Sequence, residues 1–219
     1  MIIALFNIKG GVGKTSTSVN LASVSAKKGK TLFWDLDTQG AGSFFFNKKP
    51  KKRNIFQKPV NKIIKSTQYN NIDIIPADTN LEKYKNEIKG LIDSLNDYDF
   101  IIIDAPASLN PLTRDILKYA DIVLVPVLPN ILSLRTYNQI LKTKLNRNLK
   151  LFINGYENKP SHKKIIKSVL SLPPSQYLKT YIPKSDLIEN MPFERMSVVE
   201  RYPHSQEAKR YEKLFNEIV

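Results

Sequence analysis

Apolar residues along the chain gather into six short runs, at 2–6, 31–34, 72–75, 100–103, 122–127 and 151–153, rich in β-branched and aromatic side chains. The runs are continuous rather than alternating, the pattern of strands covered on both faces. Between them lie longer segments with apolar residues at a 3.6-residue period, as in the stretch through Leu21 and Ala22 to Ala26. Strands alternating with helices predict an α/β fold, a mostly parallel twisted sheet with helices on both faces. In such a sheet ligands sit beyond the carboxyl ends of the strands. Asn7, Asp35, Asp104 and Asn154, which ends the run Leu151-Phe152-Ile153, all fall at predicted strand ends and should meet at one edge. A last stripe, Ala208, Tyr211, Leu214, Phe215 and Ile218, predicts a helix docked on the core. The 219 residues fit one domain, 1–219, with a substantial core. Residues 47–60, rich in Lys, Pro and Asn, are expected to form a mobile loop.

The turn between the first strand and the first helix carries the chemistry. Lys9-Gly10-Gly11-Val12-Gly13-Lys14-Thr15-Ser16 matches the phosphate-binding pattern G-x-x-x-x-G-K-[ST] with Asn7 or Ile8 in place of its first glycine. Glycines let successive backbone N–H groups converge on phosphate oxygens, and the helix N-terminus adds its partial positive charge. Lys14 is placed to reach the β- and γ-phosphates, and the Thr15 hydroxyl to hold Mg²⁺. A glycine turn alone also joins strands to helices without a ligand. The strand, loop and helix context, with Gly-Lys-Thr at the helix start, predicts a P-loop nucleoside triphosphate site. Asp35 and Asp104 close the second and fourth predicted strands beside it, where Mg²⁺ would lie. Asp35 and Asp37 flank a single residue, Leu36, where the second predicted strand gives way to the following turn. Asp37 can either align a water for phosphoryl transfer or cap the following turn, and the first role is favoured by Gln39-Gly40 after it.

Charge adds a second theme. Thirty-four Lys and Arg against twenty Asp and Glu leave a net charge of +14, which favours polyanions such as nucleic acid. Lys48, Lys49, Lys51, Lys52 and Arg53 form a dense run. Lys163, Lys164 and Lys167 fall on one side of a predicted helix, with Lys179, Lys184, Arg195, Arg201, Lys209 and Arg210 further on. Contacts of this kind would be to phosphates, without sequence preference and steeply salt-dependent. The alternative is a solvated lysine-rich surface, and composition alone leaves the two evenly balanced. Cysteine is absent, which excludes disulfides and thiolate metal sites and makes a reducing, cytoplasmic setting natural. No apolar run approaches the roughly 20 residues of a membrane span. Met1 leads straight into the first strand, so no signal peptide or N-terminal DNA-reading domain is expected.

Lys9-Gly-Gly-Val-Gly-Lys-Thr resembles the deviant Walker A box of the ParA/MinD superfamily of ATPases. Three further segments match that family in order. They are Asp35-Leu36-Asp37-Thr38-Gln39-Gly40, Tyr98-Asp99 to Asp104-Ala105-Pro106, and the stretch from Ser108 to Arg114 followed by Ala120 to Pro126. Ser133-Leu134-Arg135 and the ending Tyr202-Pro203-His204-Ser205 match the partition members, in their short form without a helix-turn-helix extension. The resemblance implies ATP and Mg²⁺ as cofactors. It also implies a homodimer closed by ATP, in which Lys9 reaches the partner's nucleotide, and an Asp37 that orients the attacking water. Asn154 matches the family's adenine-contacting Asn, and Pro183 would lie beside the base. Partition members bind DNA non-specifically on the nucleoid and are stimulated by a ParB-like, centromere-binding activator. Here Thr38, Ile8 and Leu187 depart from the usual Pro, Gln and Arg, which touches switch stiffness and the DNA-contacting set but no phosphate ligand. A MinD-like membrane ATPase or a cargo-positioning ATPase shares the same motifs. The predicted last helix suits docking on the core better than entry into lipid.

Overall fold

The computed structural model describes residues 1–81, 88–145 and 147–219. Its elements begin β1 (Ile2–Leu5), α1 (Lys14–Ala26), β2 (Thr31–Asp35), α2 (Ala41–Phe45), α3 (Val60–Ile63), β3 (Lys65–Ser66), β4 (Ile72–Ile75), α4 (Ile88–Asp93) and β5 (Phe100–Asp104). They continue α5 (Pro111–Tyr119), β6 (Ile122–Val127), α6 (Ile131–Lys142), β7 (Leu149–Tyr156), α7 (Pro160–Leu170) and β8 (Ile182–Pro183). Four helices close the chain, α8 (Asp186–Glu189), α9 (Met191–Glu194), α10 (Val198–Arg201) and α11 (Gln206–Asn216).

The strands form an eight-stranded sheet in the order β3-β4-β2-β5-β1-β6-β7-β8. Among the described residues only β3 runs antiparallel to its neighbour; the other pairings are parallel. The six expected strands are the six longest, and they are buried on both faces as their continuous apolar runs require. Alternate residues serve opposite layers. Ala4, Phe6 and Trp34 pack towards α5 and α6, while Ile3, Leu5 and Phe33 pack towards α1 and α11. The C-terminal stripe docks as expected, with Ala208, Tyr211, Leu214 and Phe215 inaccessible to solvent. Ser205 caps that helix by accepting from the N–H of Ala208 at 3.1 Å.

Helix α1 runs through the middle of its layer, and every residue from Thr17 to Ala26 is buried. Its polar side chains bond within the protein instead of facing water. Ser23 Oγ lies 2.8 Å from Ser197 Oγ, and Asn20 Oδ1 accepts from the N–H of Val199 at 3.2 Å. Pairing of this kind is what makes buried polar groups tolerable.

Residues 47–60 depart from the expected mobile loop. Lys51 makes a parallel β-bridge with Asp78, and the buried Asp78 carboxylate accepts from the N–H groups of Arg53 and Ile55 at 3.0 Å each. The same carboxylate accepts from Asn80 N–H at 2.9 Å, and Ile55 is buried. Lys, Pro and Asn content marked an irregular segment, but a carboxylate some twenty-five residues away in sequence ties it down. Asp78→Ala strands three N–H groups near the core and should cost about 3 kcal/mol. Denaturant unfolding reads that loss, and trypsin should cut at Lys51–Arg53 faster than in the wild type. An unchanged midpoint and cleavage rate would show that Asp78 does not hold the segment.

Candidate functional site

The parallel register decides what meets at the sheet edge. Leu5 and Asp35 both pair with Asp104, so the first three central strands finish level with one another. The loop after β1 rises from that edge and is held on two sides. Asn7 Nδ2 donates to Pro126 O at 2.9 Å, and Asn7 Oδ1 accepts from Lys9 N–H at 2.9 Å. Asn154 Nδ2 donates to Val12 O at 2.8 Å. Gly11 and Gly13 have φ of 71° and 86°, a left-handed conformation that L side chains rarely adopt. A Cβ on Gly13 would lie only 2.1 Å from Asn154 Nδ2, so the loop needs glycine there on two counts.

Gly13 precedes α1 without a side-chain cap, and the first turn of α1 has no acidic residue. Its leading N–H groups, with those of Gly10 to Gly13, form a positive concavity suited to phosphate. Lys14 is buried, and its Nζ donates to Lys9 O at 3.2 Å. Burial lowers its pKa, while the charges of Asp104 and Asp37 oppose that shift. Lys9 itself is half-exposed beside the loop. Thr15 and Ser16 open the helix, half-buried.

Asp35 and Asp104 are each 1% exposed and lie on adjacent strands. Burial, then the charge of Asp104, pushes the Asp35 carboxyl well above the ordinary carboxylate range. Burial raises Asp104 too, against the hydroxyls of Thr15 and Ser18 and the Lys14 ammonium. Asp35 is well supplied with donors: Oδ2 accepts from Ser43 N–H at 2.5 Å and Ser43 Oγ at 2.7 Å, and Oδ1 from Asp37 N–H at 3.1 Å. Asp104 Oδ1 accepts from Ser18 Oγ at 3.2 Å, whereas Asp104 Oδ2 is buried with no hydrogen-bond partner among the described residues. An unpartnered buried carboxylate oxygen beside the Thr15 hydroxyl fits a small hard cation. Mg²⁺ keeps several waters and takes phosphate oxygens, so one carboxylate and one hydroxyl suffice on the protein side.

Asp37 starts the turn beyond β2, with Oδ1 accepting from Gln39 N–H at 3.0 Å and its carbonyl accepting from Gly40 N–H at 2.8 Å. It therefore both caps that turn and lies close enough to act electrostatically on Lys14 and Asp104. A cavity of about 320 Å³ opens beside it, between residues 36–39 and the segment from Pro106 to Thr113.

The expected residues from Lys9 to Ser16, with Asp35, Asp37 and Asp104, come together at one edge. Asn154 joins them, but it lies inside β7, which continues to Tyr156, and its amide grips the loop backbone. Pro183 lies in β8, paired with Tyr156. Ser18 and Ser43 were missed. Ser18 lies one helical turn beyond Lys14, a spacing that could have flagged it; Ser43 carries no sequence signal. The basic candidates divide. Lys163, Lys164 and Lys167 lie exposed on α7, and Lys184 follows β8 at the same edge of the sheet. Arg195 stacks on Phe44 and accepts at its carbonyl from Tyr69 Oη, close to β3 and the opposite edge. One contiguous patch therefore cannot contain all five.

The chain is similar to known proteins in sequence and in fold. A family model described as an AAA domain matches residues 1–153. The sporulation initiation inhibitor protein Soj of Bacillus subtilis is 30% identical over 246 residues, covering 99% of this chain and 97% of Soj. In fold, the chain is similar to a plasmid partition protein of Borrelia burgdorferi bound to AMPPNP, with a TM-score of 0.82 at 22% identity over 99% of this chain and 97% of that one. The septum site-determining protein MinD of Pyrococcus horikoshii, complexed with Mg-ADP, has a TM-score of 0.79 at 23% identity over 99% and 95% of the two chains.

Both raised carboxylates bind more protons in the folded chain than in the unfolded one, where they titrate near 4. In chelator and without nucleotide, stability should therefore fall as pH rises from 5 towards 8. Asp104→Asn removes one of the two repelling charges and should flatten that decline. Thermal unfolding at four pH values checks both; a metal-free melting temperature that rises across this range would refute the charge assignment.

Proposed function

We propose a DNA-segregation role for this chain on the premise that it belongs to the ParA/MinD superfamily of P-loop ATPases. As a member it is an ATP hydrolase that works with ATP and Mg²⁺. The observation that supports the nucleotide part of the reading is the level ending of β1, β2 and β5, which brings the glycine loop, Lys14 and two buried carboxylates to one edge of the sheet, where a phosphate would sit.

In the proposed arrangement the N–H groups of Gly10 to Gly13 and the Lys14 ammonium bind the β- and γ-phosphates, with Thr15 and Ser16 at the helix start beside them. Thr15 and Asp104 hold Mg²⁺, which offsets charge on those phosphates, and Asp35 fixes the turn that carries Asp37. Asp37 orients the attacking water, a step that needs positioning more than covalent chemistry. Asn154 and Pro183 border the base. Lys9, half-exposed beside the loop, reaches the nucleotide of a second copy and closes an ATP-dependent homodimer.

The dimer binds DNA without sequence preference through its surplus of Lys and Arg, in the cytoplasm and on the nucleoid. A ParB-like activator that binds a centromere stimulates hydrolysis and so releases it. A membrane role of the MinD kind has less support, because α11 buries its apolar stripe in the core. No helix among the described residues is long and apolar enough to cross a membrane.

Lys14→Ala should reduce nucleotide affinity at least roughly a hundredfold, since it removes a buried charge aimed at the phosphates. Asp37→Ala should keep nucleotide affinity, slow hydrolysis roughly a hundredfold and accumulate as a dimer on DNA with ATP and Mg²⁺. Sedimentation and steady-state phosphate release test these. A monomeric Asp37→Ala protein at saturating ATP and Mg²⁺ would overturn the dimer, and wild-type turnover in it would remove Asp37 from the mechanism. Flotation on anionic liposomes, set against retention on DNA, separates the membrane reading from the DNA reading.

A further inference from the structure

We infer that the segment between α2 and β4 is the main nucleic-acid contact surface, with Lys48, Lys49, Lys51 and Lys52 as the phosphate-binding residues and Arg195 beside them. This rests on the DNA-binding reading above and moves the contact from α7 to the opposite edge of the sheet.

Charge is the first reason. Residues 40–72 contain eight Lys or Arg and no Asp or Glu, so they carry +8 of the net charge of +14. Lys49, Lys51 and Lys52 are exposed, and none of the four lysines makes an ion pair among the described residues. Lys163, Lys164 and Lys167 on α7 are likewise exposed and unpaired among the described residues, so it is the density of the run at 48–53, not its lack of partners, that sets it apart.

Presentation is the second reason. A basic tail that moves freely must lose conformational entropy to bind, whereas this run is anchored. Lys51 N–H donates to Ala77 O at 3.3 Å, and Lys51 O accepts from Thr79 N–H at 3.1 Å. The Asp78 carboxylate holds the backbone at Arg53 and Ile55, and the Arg53 guanidinium turns inward to Lys49 O at 3.0 Å. The lysines are thus displayed from a fixed backbone as point charges on flexible stems, which suits phosphate contact without base readout.

Convergence from a distant segment is the third reason. Arg195 has φ of 50°, in the left-handed region. Its guanidinium lies 4.2 Å from the centre of the Phe44 ring and donates to Asn47 Oδ1 at 3.2 Å. That places a cation from the C-terminal part of the chain on Phe44 and Asn47, the residues that lead into the lysine run. The nearest acid on its own helix, Glu194, is occupied by Arg201 at 3.4 Å and Tyr202 Oη at 2.9 Å. The same helix α2 is tied to Asp35 by Ser43, so the proposed contact surface is mounted on the turn that follows the phosphate site.

The test measures retention of full-length protein on duplex DNA against salt, with ATP and Mg²⁺, for the wild type and two triple variants. K49Q/K51Q/K52Q should bind at least tenfold more weakly at moderate salt and lower the slope of log K against log salt by roughly 2 to 3. K163Q/K164Q/K167Q should change the slope by less than 1. Fluorescent-ATP affinity and thermal unfolding, both expected to match the wild type, exclude misfolding as the cause. If the first variant keeps the wild-type slope while the wild type binds DNA, this surface is wrong and the partition reading stands. If the wild type itself is not retained on DNA at low salt, the DNA-binding reading fails and this inference fails with it.

Discussion

Two carboxylates buried side by side at the carboxyl edge of a parallel sheet constrain everything around them. Asp35 and Asp104 end neighbouring strands in register, out of contact with water, and their charges repel. Charges so placed persist only where donors and cations are built around them. The structure supplies donors unequally: Ser43 and the Asp37 amide saturate Asp35, whereas Asp104 keeps one oxygen bare beside Thr15 and near Lys14. That inequality separates a carboxylate that shapes a turn from one that can take a cation.

Helix α1 links this edge to the rest of the molecule. Its first turn follows the glycine loop, and its length lies under α10 and α11, with Ser23 and Asn20 bonded to the segment from Ser197 to Val199. The C-terminal helices therefore bear on the element that begins at the glycine loop. On the other side, Ser43 carries the state of Asp35 into α2, and Ala77 N–H donates to the same Ser43 hydroxyl at 2.8 Å. The site is thus braced from both ends of the chain by short side-chain bonds.

Much of this was legible in the sequence because it depends on local patterns. Continuous apolar runs gave the six long strands, Gly-Lys-Thr after the first of them gave the loop, and the stripe from Ala208 to Phe215 gave the docked helix. What the sequence did not disclose depends on contacts between distant residues. Nothing near Lys51 signals that Asp78 will anchor it, so the segment resembled a free loop. The two-residue strands β3 and β8 have no period to detect. Ser18, Asn20 and Ser23 of α1 find partners from 86 to 179 positions away and are buried. Arg195 and the lysines of α7 looked equivalent as charges, and only the strand order shows that they belong to opposite edges.

The amide of Asn154 reaches from β7 across β6 to the carbonyl of Val12, and with Asn7 it fixes the glycine loop through the protein's own bonds. The curvature of the loop is therefore set during folding, and a group bound there would bear little of the entropic penalty of ordering a flexible turn. Recognition at this edge is accordingly a matter of shape prepared in advance, and a substitution at Asn154 would act first on the readiness of the empty loop.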